Sequence, residues 1–402
     1  MIQEIYSQLA PEKRRWVEQV IGTYQKAGHQ CYLVGGSVRD LGLGLLPQDF
    51  DFATNAPLEA SFKLFPKVIP TGVAHGTVTL LLGGMTFEVT RYRLDVQTDG
   101  RHAEVRFAQT LEEDLGRRDL RINAIAFEPL TGQVIDPEGG LKDLAERMIR
   151  FVGPAAERIR EDHLRALRYL RMIAKLAPYG FGYEPDELAA VLQSFDPKVL
   201  SLERIYDELG KMKALPQLDP HFLVQQLSAL QIFAPRLSPQ SHPLAIELLL
   251  TFGDRTALGA LVSWERGANR AEEDLRLTRR EKRLIQLLLT RWGEPLESDL
   301  DLKAFLSPCQ PEDREELAQL AQRLWGARGI DRVKLWEKAL VPLQVSDLKI
   351  SANGLAELGF HGKALGEIQK FLLTQVWADP SQNQPEKLVR LALNQREENL
   401  LK

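Results

Sequence analysis

Apolar positions over the first 28 residues fall three and four apart, with Ile5, Leu9, Trp16, Val20 and Ile21 sharing one side. That spacing predicts one amphipathic helix ending at Gly28. The pattern then shortens to alternation. Cys31–Val34, Phe50–Ala53, Thr77–Leu82 and Thr86–Tyr92 are rich in β-branched and aromatic residues and predict strands. Gly83-Gly84 between the last two predicts a hairpin turn. After Asp136-Pro137-Glu138-Gly139-Gly140 the alternation stops. Nearly everything to Lys402 then carries helical spacing, broken at Pro154, Pro178 to Pro185, Pro216 to Pro220, Pro235 to Pro243 and Pro308 to Pro311. No repeat of fixed period or low-complexity tract interrupts it. The expected fold is α+β at the N-terminus, with a mixed or antiparallel sheet, followed by an all-α remainder.

Composition narrows the function only by exclusion. The 402 residues are 44% hydrophobic and 26% charged, as in ordinary globular chains. Lys and Arg total 51 against 55 Asp and Glu, a net charge of -4 that excludes a uniformly basic nucleic-acid coat but not a local patch. Cys31 and Cys309 are too far apart in sequence for a disulfide framework or a metal knuckle, which fits a reducing cytoplasm. Neither a signal peptide nor a membrane span is expected.

Five local patterns carry chemistry. Leu33-Val34-Gly35-Gly36-Ser37-Val38-Arg39-Asp40 reads as a strand ending on two glycines and opening a helix. Such a turn either brings backbone N–H groups to a phosphate or is a plain capped turn. In Asp49-Phe50-Asp51-Phe52-Ala53, strand alternation puts Asp49 and Asp51 on one face and both phenylalanines in the core. Paired carboxylates suit divalent cations, two Mg²⁺ ions in a phosphoryl transfer, or else serve as charges on a strand edge. Glu88 alternates to face with Thr86 and Thr90, as a third carboxylate or as a solvated residue paired with Arg91 or Arg93. Residues 150–175 hold seven basic and three acidic residues, a local excess of +4 (7 − 3). Within them Asp162, Arg165, Arg168 and Arg171 recur every three residues, which on one helix makes a drifting polar face. Arg276-Leu277-Thr278-Arg279-Arg280-Glu281-Lys282-Arg283 is either a grip on a phosphate backbone or a solvated helix end.

In this order the blocks resemble a known family. Gly35 to Asp40, Asp49-Phe50-Asp51, Arg117-Arg118-Asp119-Leu120-Arg121-Ile122-Asn123-Ala124, Ile135 to Gly140 with Asp143-Leu144, and Glu161-Asp162-His163-Leu164-Arg165 are similar to the head and neck motifs of the polymerase-beta-like nucleotidyltransferases. The branch is that of the tRNA CCA-adding enzymes and poly(A) polymerases. The match covers residues 31–175 and continues more thinly through Leu202-Glu203-Arg204-Ile205 with Glu208-Leu209, and through Ile350 to Ala392 with Gly354, Leu358-Gly359 and Asn383.

The resemblance implies a seahorse-shaped protein with a catalytic head over 1–148, a nucleotide-recognising neck over 149–214, a body over 215–300 and a tRNA-binding tail over 301–402. It implies addition of C and A from CTP and ATP to the tRNA 3′ end, with Mg²⁺ as cofactor and pyrophosphate as product. Asp49 and Asp51 would hold metal, with Glu88 as a third catalytic carboxylate. Gly36, Arg39 and Arg118 would contact the nucleotide. Asp162 and Arg165 would pair with the base edge in place of a template, and Arg168 and Arg171 would meet the triphosphate or the neighbouring strand. Asp119 would hold Arg118 or a neck residue, Asn123 would support the backbone, and Arg279, Arg280 and Arg283 would grip tRNA phosphates. No membrane and no obligate protein partner is implied. None of the seven histidines precedes an Asp, so the appended phosphohydrolase of some relatives is expected to be missing. The polar segment Arg93 to Ala103 matches a flexible element linked to the switch from C to A, which argues against an enzyme adding only C. An enzyme adding only A, a poly(A) polymerase and a silent tRNA-binding protein are the alternatives.

Overall fold

In a computed structural model the described residues are 1–95, 105–234, 236–252, 256–267, 271, 275, 277–289, 307 and 344–400. Most of the polar segment after Arg93, the breaks at Pro308 to Pro311, Cys309 and Arg276 lie outside them. The chain divides into two compact units, Met1–Pro235 and Arg236–Lys402.

The first unit opens with two helices where one was expected, α1 (Ile2–Ser7) and α2 (Pro11–Lys26). Pro11 has no N–H to return to the preceding turn, and it holds Ala10 in extended backbone (φ -50, ψ 134), so the helix stops and restarts. Gly28, at φ +83, ends α2 as expected.

Seven strands form a mixed sheet in the order β3-β4-β5-β2-β1-β8-β9. They are β1 (Cys31–Val34), β2 (Asp51–Thr54), β3 (Val68–Gly72), β4 (Thr77–Leu82), β5 (Met85–Arg91), β8 (Ala126–Glu128) and β9 (Gln133–Ile135). β2 runs parallel to β5 and antiparallel to β1. Between β5 and β8 a small separate pair, β6 (Arg93–Asp95) and β7 (Val105–Phe107), brackets the polar segment. The Gly83-Gly84 turn closes the β4–β5 hairpin with both glycines at positive φ, 58° and 79°, the pair of angles a two-residue hairpin loop favours. Alternation delivers Phe50, Phe52 and Phe87 to the core, with the Phe87 ring 6.3 Å from Phe50 and 6.0 Å from Phe52. Each such buried ring contributes on the order of 2–3 kcal/mol, which fixes the strand register on which the polar face depends.

Helices α3 (Gly36–Gly42) and α4 (Leu58–Leu64) follow β1 and β2, and α5 (Leu111–Gly116) and α6 (Gly140–Glu146) flank β8 and β9. The helical continuation is α7 (Ala155–Glu161), α8 (Leu164–Leu176), α9 (Pro185–Ser194), α10 (Leu202–Lys213) and α11 (Pro220–Ala229). One exception to the expected helices is the short parallel pair β10 (Met148–Ile149) and β11 (Gly182–Tyr183). α8 is the hub, packing against α7, α10 and α11 through buried Leu167, Leu170, Ile173 and Leu176.

In the second unit α12 (His242–Phe252), α13 (Thr256–Arg266) and α14 (Arg279–Leu289) pack in sequence. α15 (Ala352–Glu357), α16 (Lys363–Ala378) and α17 (Pro385–Leu400) enclose a cluster that includes Leu355, Leu372, Val376, Trp377 and Leu388. Asn383 ties this cluster to the preceding turn, accepting from Lys349 N–H at 2.8 Å and donating to the Asp347 carbonyl at 3.1 Å. Among the described residues no helix is long and apolar enough to cross a membrane.

Candidate active site

The site begins at the strand-to-helix turn. Gly35 caps α3 at φ 71 and ψ -136, a conformation that strains any residue with a Cβ. The position a Cβ would take lies 3.2 Å from Arg118 Nη1 and 3.7 Å from Asp51 Oδ2. A guanidinium and a carboxylate thus converge on the bare glycine. Gly36, next in line, stands 3.4 Å by the same measure from the Arg39 guanidinium.

Asp51 is the first residue of β2, opposite Val34 on one side and Glu88 on the other. Asp49 is not on the strand as expected. It lies in the bend leading into β2 and is exposed, although Phe50 between them is buried as alternation requires. Pairing begins only at Asp51, the first residue of β2, opposite Val34 at the end of β1, so Asp49 lies outside the ladder. Glu88 is exposed on β5, on the face of Thr86 and Thr90. Among the described residues no three His, Cys, Asp or Glu side chains converge into a metal cage. Burial, the neighbouring Glu88 and then Asp49 push the Asp51 carboxyl up to about 6, against the opposing pull of Arg118.

Arg117 and Arg118 are held by an acid that the sequence motifs do not include. Asp114, buried on α5, accepts from Arg118 Nη2 at 3.0 Å, from Arg117 Nε at 3.0 Å and Nη2 at 2.9 Å, and from the Arg93 N–H at 3.2 Å. Burial alone would raise its pKa, but Arg118 and Arg117 outweigh that and hold it below the usual carboxylate value. Asp114 sits three and four residues before the two arginines, a helical pairing legible in the sequence. Asp119 does not hold Arg118. It takes the neck alternative, accepting from Arg168 Nε at 2.6 Å and from the Leu120 N–H at 2.9 Å. Asn123 accepts from Arg39 Nη1 through its side-chain oxygen at 2.8 Å, so it positions a site arginine instead of capping backbone. Asp40 holds the other edge of Arg39, at 2.9 Å from Nε and 2.7 Å from Nη2.

The expected single polar helix face is broken. Asp162 ends α7 in extended backbone, φ -153, and α8 starts afterwards at Leu164. Asp is a preferred capping residue, and its Oδ1 accepts the Leu164 N–H at 3.0 Å, which separates the two helices. Arg165, Arg168 and Arg171 do lie on α8, but each turns to a different partner. Arg165 is 6% exposed and donates to Glu161 at 2.5 Å and to the Arg117 carbonyl at 3.1 Å. Arg171 Nε donates to Glu208 on α10 at 2.7 Å, and Glu208 is itself 1% exposed and shared with Lys211 at 2.8 Å. Lys175, one turn further, lies in the field of Arg39, Asp40, Arg171 and Asp49; burial and Arg39 lower its pKa. At the junction, Asp136 accepts from the Gly140 and Leu141 N–H groups at 2.7 and 2.9 Å and fixes the start of α6.

Arg279, Arg280 and Arg283 are exposed in the first turns of α14, outside the first unit. Thr278 and Glu281 cap that turn reciprocally, at 3.2 and 2.6 Å. Cations there oppose the positive end of the helix dipole.

Carboxylates on one side of a glycine turn and guanidinium groups on the other make a seat for a polyphosphate, and on this mixed sheet they define a nucleotidyltransferase. Residues 31–150 match the family model described as the poly A polymerase head domain. Over 371 residues the chain is 31% identical to CCA tRNA nucleotidyltransferase 1, mitochondrial, of Danio rerio, an alignment covering 86% of this chain and 83% of that protein. It is 40% identical over 200 residues to the CCA-adding enzyme of Geobacillus kaustophilus (strain HTA426), 49% of this chain and 48% of that one. The crystal structure of the Bacillus stearothermophilus CCA-adding enzyme in complex with CTP superposes with a TM-score of 0.71 at 27% identity, over 95% of this chain and 98% of that one. The chain belongs to the CCA-adding tRNA nucleotidyltransferases, of the bacterial class II type. Nucleotidyltransferases of this family work with a divalent metal.

Proposed function

We propose that the protein adds C and A from CTP and ATP to the 3′ end of tRNA without a nucleic-acid template, acting in the cytoplasm. The observation that carries this reading is the convergence of Asp51 and Arg118 on Gly35, a carboxylate suited to a metal and a guanidinium suited to a phosphate at one turn.

Asp49 and Asp51 fit a hard divalent cation, and we take it to be Mg²⁺. Asp51 is raised to about 6 by burial and by two neighbouring carboxylates, which is the mark of negative charge that a cation would neutralise. When bound, such a cation supplies Lewis-acid activation of the tRNA 3′-hydroxyl and neutralises charge developing at the phosphates. The chain's own residues bind and orient. Arg118, fixed by Asp114, and Arg39, fixed by Asp40 and Asn123, hold the phosphates for in-line attack on the α-phosphorus. Glu88 adds to the negative field at Asp51 from the adjacent strand. Gly35 and Gly36 let the nucleotide approach the backbone.

Asp162 and Arg165 read the base. A carboxylate accepts from the exocyclic amine of C or A, and a guanidinium donates to ring acceptors, whereas U and G present the opposite groups. An unpaired buried donor or acceptor costs about 1–3 kcal/mol, enough to reject the wrong base by about fivefold to 150-fold per contact. Arg165 reaches the base by exchanging its present bond to Glu161 or to the Arg117 carbonyl. Arg168 and Arg171 face the triphosphate or the neighbouring strand, held by Asp119 and Glu208. Arg279, Arg280 and Arg283 contact tRNA phosphates, where their charge offsets the unfavourable helix dipole. The test is incorporation of labelled CTP by Asp49→Ala and Asp51→Ala proteins. Loss of incorporation with the fold preserved is expected, and near wild-type incorporation by either would overturn the assignment.

A further inference from the structure

The arginines of the site each come with an acid. Asp40 holds Arg39, Asp114 holds Arg118, Asp119 holds Arg168 and Glu208 holds Arg171. Lys175, one turn beyond Arg171 on α8, is different. Its side chain is half-buried, yet among the described residues its ammonium makes no hydrogen bond and no ion pair. Charges of both signs surround it, Arg39 and Arg171 against Asp40 and Asp49. Neither acid is available as its partner. Asp40 is taken by Arg39, whose Nε and Nη2 both donate to Oδ1, at 2.9 and 2.7 Å. Asp49 is one of the two carboxylates that fit a divalent cation, and a bound cation would neutralise it.

The fold alone gives little reason for this lysine. A cation in the last turn of a helix gains from the dipole, but a side chain turned fully to solvent has that gain without losing water. Desolvating an ammonium with no partner costs free energy, and an arriving anion offsets it. The placement of Lys175 indicates which anion. Met172, three residues earlier, lies with its sulfur 3.7 Å from Arg39 Nη1, so this stretch of α8 rests against α3. α3 begins at the Gly35 turn, where Asp51 and Arg118 converge, and Asp40 lies about 7.5 Å further along its axis. Arg39 acts on Asp51 at one end of this path and on Lys175 at the other. A polyphosphate whose first phosphate sits at the glycine turn therefore runs past Arg39 toward Lys175.

We propose that Lys175 binds the terminal phosphates of the incoming nucleotide, the two that leave as pyrophosphate. This rests on the polyphosphate seat set out under the proposed function. As the tRNA 3′-oxygen bonds to the α-phosphorus, the bond from that phosphorus to the bridging oxygen breaks and the oxygen keeps the electron pair. Charge grows on the leaving phosphates, and the unpaired ammonium offsets it there.

The experiment measures dissociation constants for CTP, CDP, CMP and pyrophosphate, with Mg²⁺ and no tRNA, on the full-length wild-type, Lys175→Met, Lys175→Arg and Arg118→Ala proteins. Lys175→Met should weaken CTP and pyrophosphate by at least about tenfold and leave CMP unchanged. Its thermal midpoint should match or exceed wild type, because a desolvated charge has been removed. Lys175→Arg should restore most of the CTP affinity. Equal weakening of CTP and CMP, or no weakening of either, overturns the proposal. So does a raised KM for tRNA with CTP binding intact, which would assign the lysine to the RNA backbone. If wild type binds CTP no more tightly than CMP, the polyphosphate seat fails and the lysine's role with it; if Arg118→Ala narrows the gap between CTP and CMP and Lys175→Met does not, only the lysine's role fails.

Discussion

Replacing Asp51 by Asn should stabilise the protein while stopping its chemistry. In the fold, burial, Glu88 and Asp49 raise the Asp51 carboxyl from its ordinary 3.8 to about 6. A folded-state pKa above the unfolded value means that the folded protein binds the proton more tightly. Above pH 6 the carboxylate is charged in both states, and the fold carries the cost of that charge; as pH falls from 6 toward 4 the cost fades. The shift of about 2 corresponds to about 3 kcal/mol at 1.36 kcal/mol per pKa unit. Because the side chain is only partly buried, solvent reduces this to about 1–3 kcal/mol. For a unit of about 150–250 residues that is a rise of about 2–12 °C in the unfolding midpoint. Thermal unfolding of wild type and Asp51→Asn at pH 8, pH 6 and pH 4 measures it directly. The variant should be the more stable at pH 8, with the gap closing toward pH 4. Added Mg²⁺ should stabilise the wild type more than the variant. No gain at pH 8, or a gain of equal size at pH 4, would refute the reasoning.

The remaining predictions concern the groups around that carboxylate and the second unit. Asp114→Ala leaves Arg117 and Arg118, with side chains 14% and 17% exposed, without their shared acid. A loss of about 3–5 kcal/mol in chemical denaturation and a raised KM for CTP are expected. Since Arg118 and Arg117 hold Asp114 below its ordinary pKa, its contribution is full at neutral pH and is lost as pH falls below about 4. Gly35→Ala puts a Cβ at φ 71 and 3.2 Å from Arg118 Nη1, costing about 1–2 kcal/mol in backbone strain and displacing the guanidinium. Nucleotide affinity should fall while circular dichroism stays native. Neutralising Arg279, Arg280 and Arg283 together should flatten the salt dependence of tRNA binding, lowering the log–log slope by about 2, and leave CTP binding unchanged.

Where local pattern decides structure, the sequence was readable. β1 and β4 have the expected ends, and Gly83-Gly84 closes the hairpin between β4 and β5. The three-residue strands β8 and β9 were not readable, because β8 joins the sheet through a partner, β1, about ninety positions earlier. Pro11 and Asp162 each interrupt a periodic run that looks continuous when only apolar and charged spacing is followed. Both carry a local signal, a missing N–H in one case and a capping carboxylate in the other. The motif residues gather at one turn much as their order implies, yet the acids that hold them are another matter. Asp114 precedes its arginines at helical spacing and could have been found. Glu208 and Arg204 pair with Arg171 and Asp162 across 37 and 42 positions, distances over which sequence alone gives no partner.

The central claim is tested most directly by the 3′ ends the protein makes. Purified protein would be offered three tRNAs, one lacking the terminal C-C-A, one ending after its two cytidines and one complete, each with CTP, ATP or both, and the products sequenced. Addition of C-C-A to the first, A to the second and nothing to the third is the predicted result. Addition of A alone, a long A tail, or no incorporation on any of the three would contradict it.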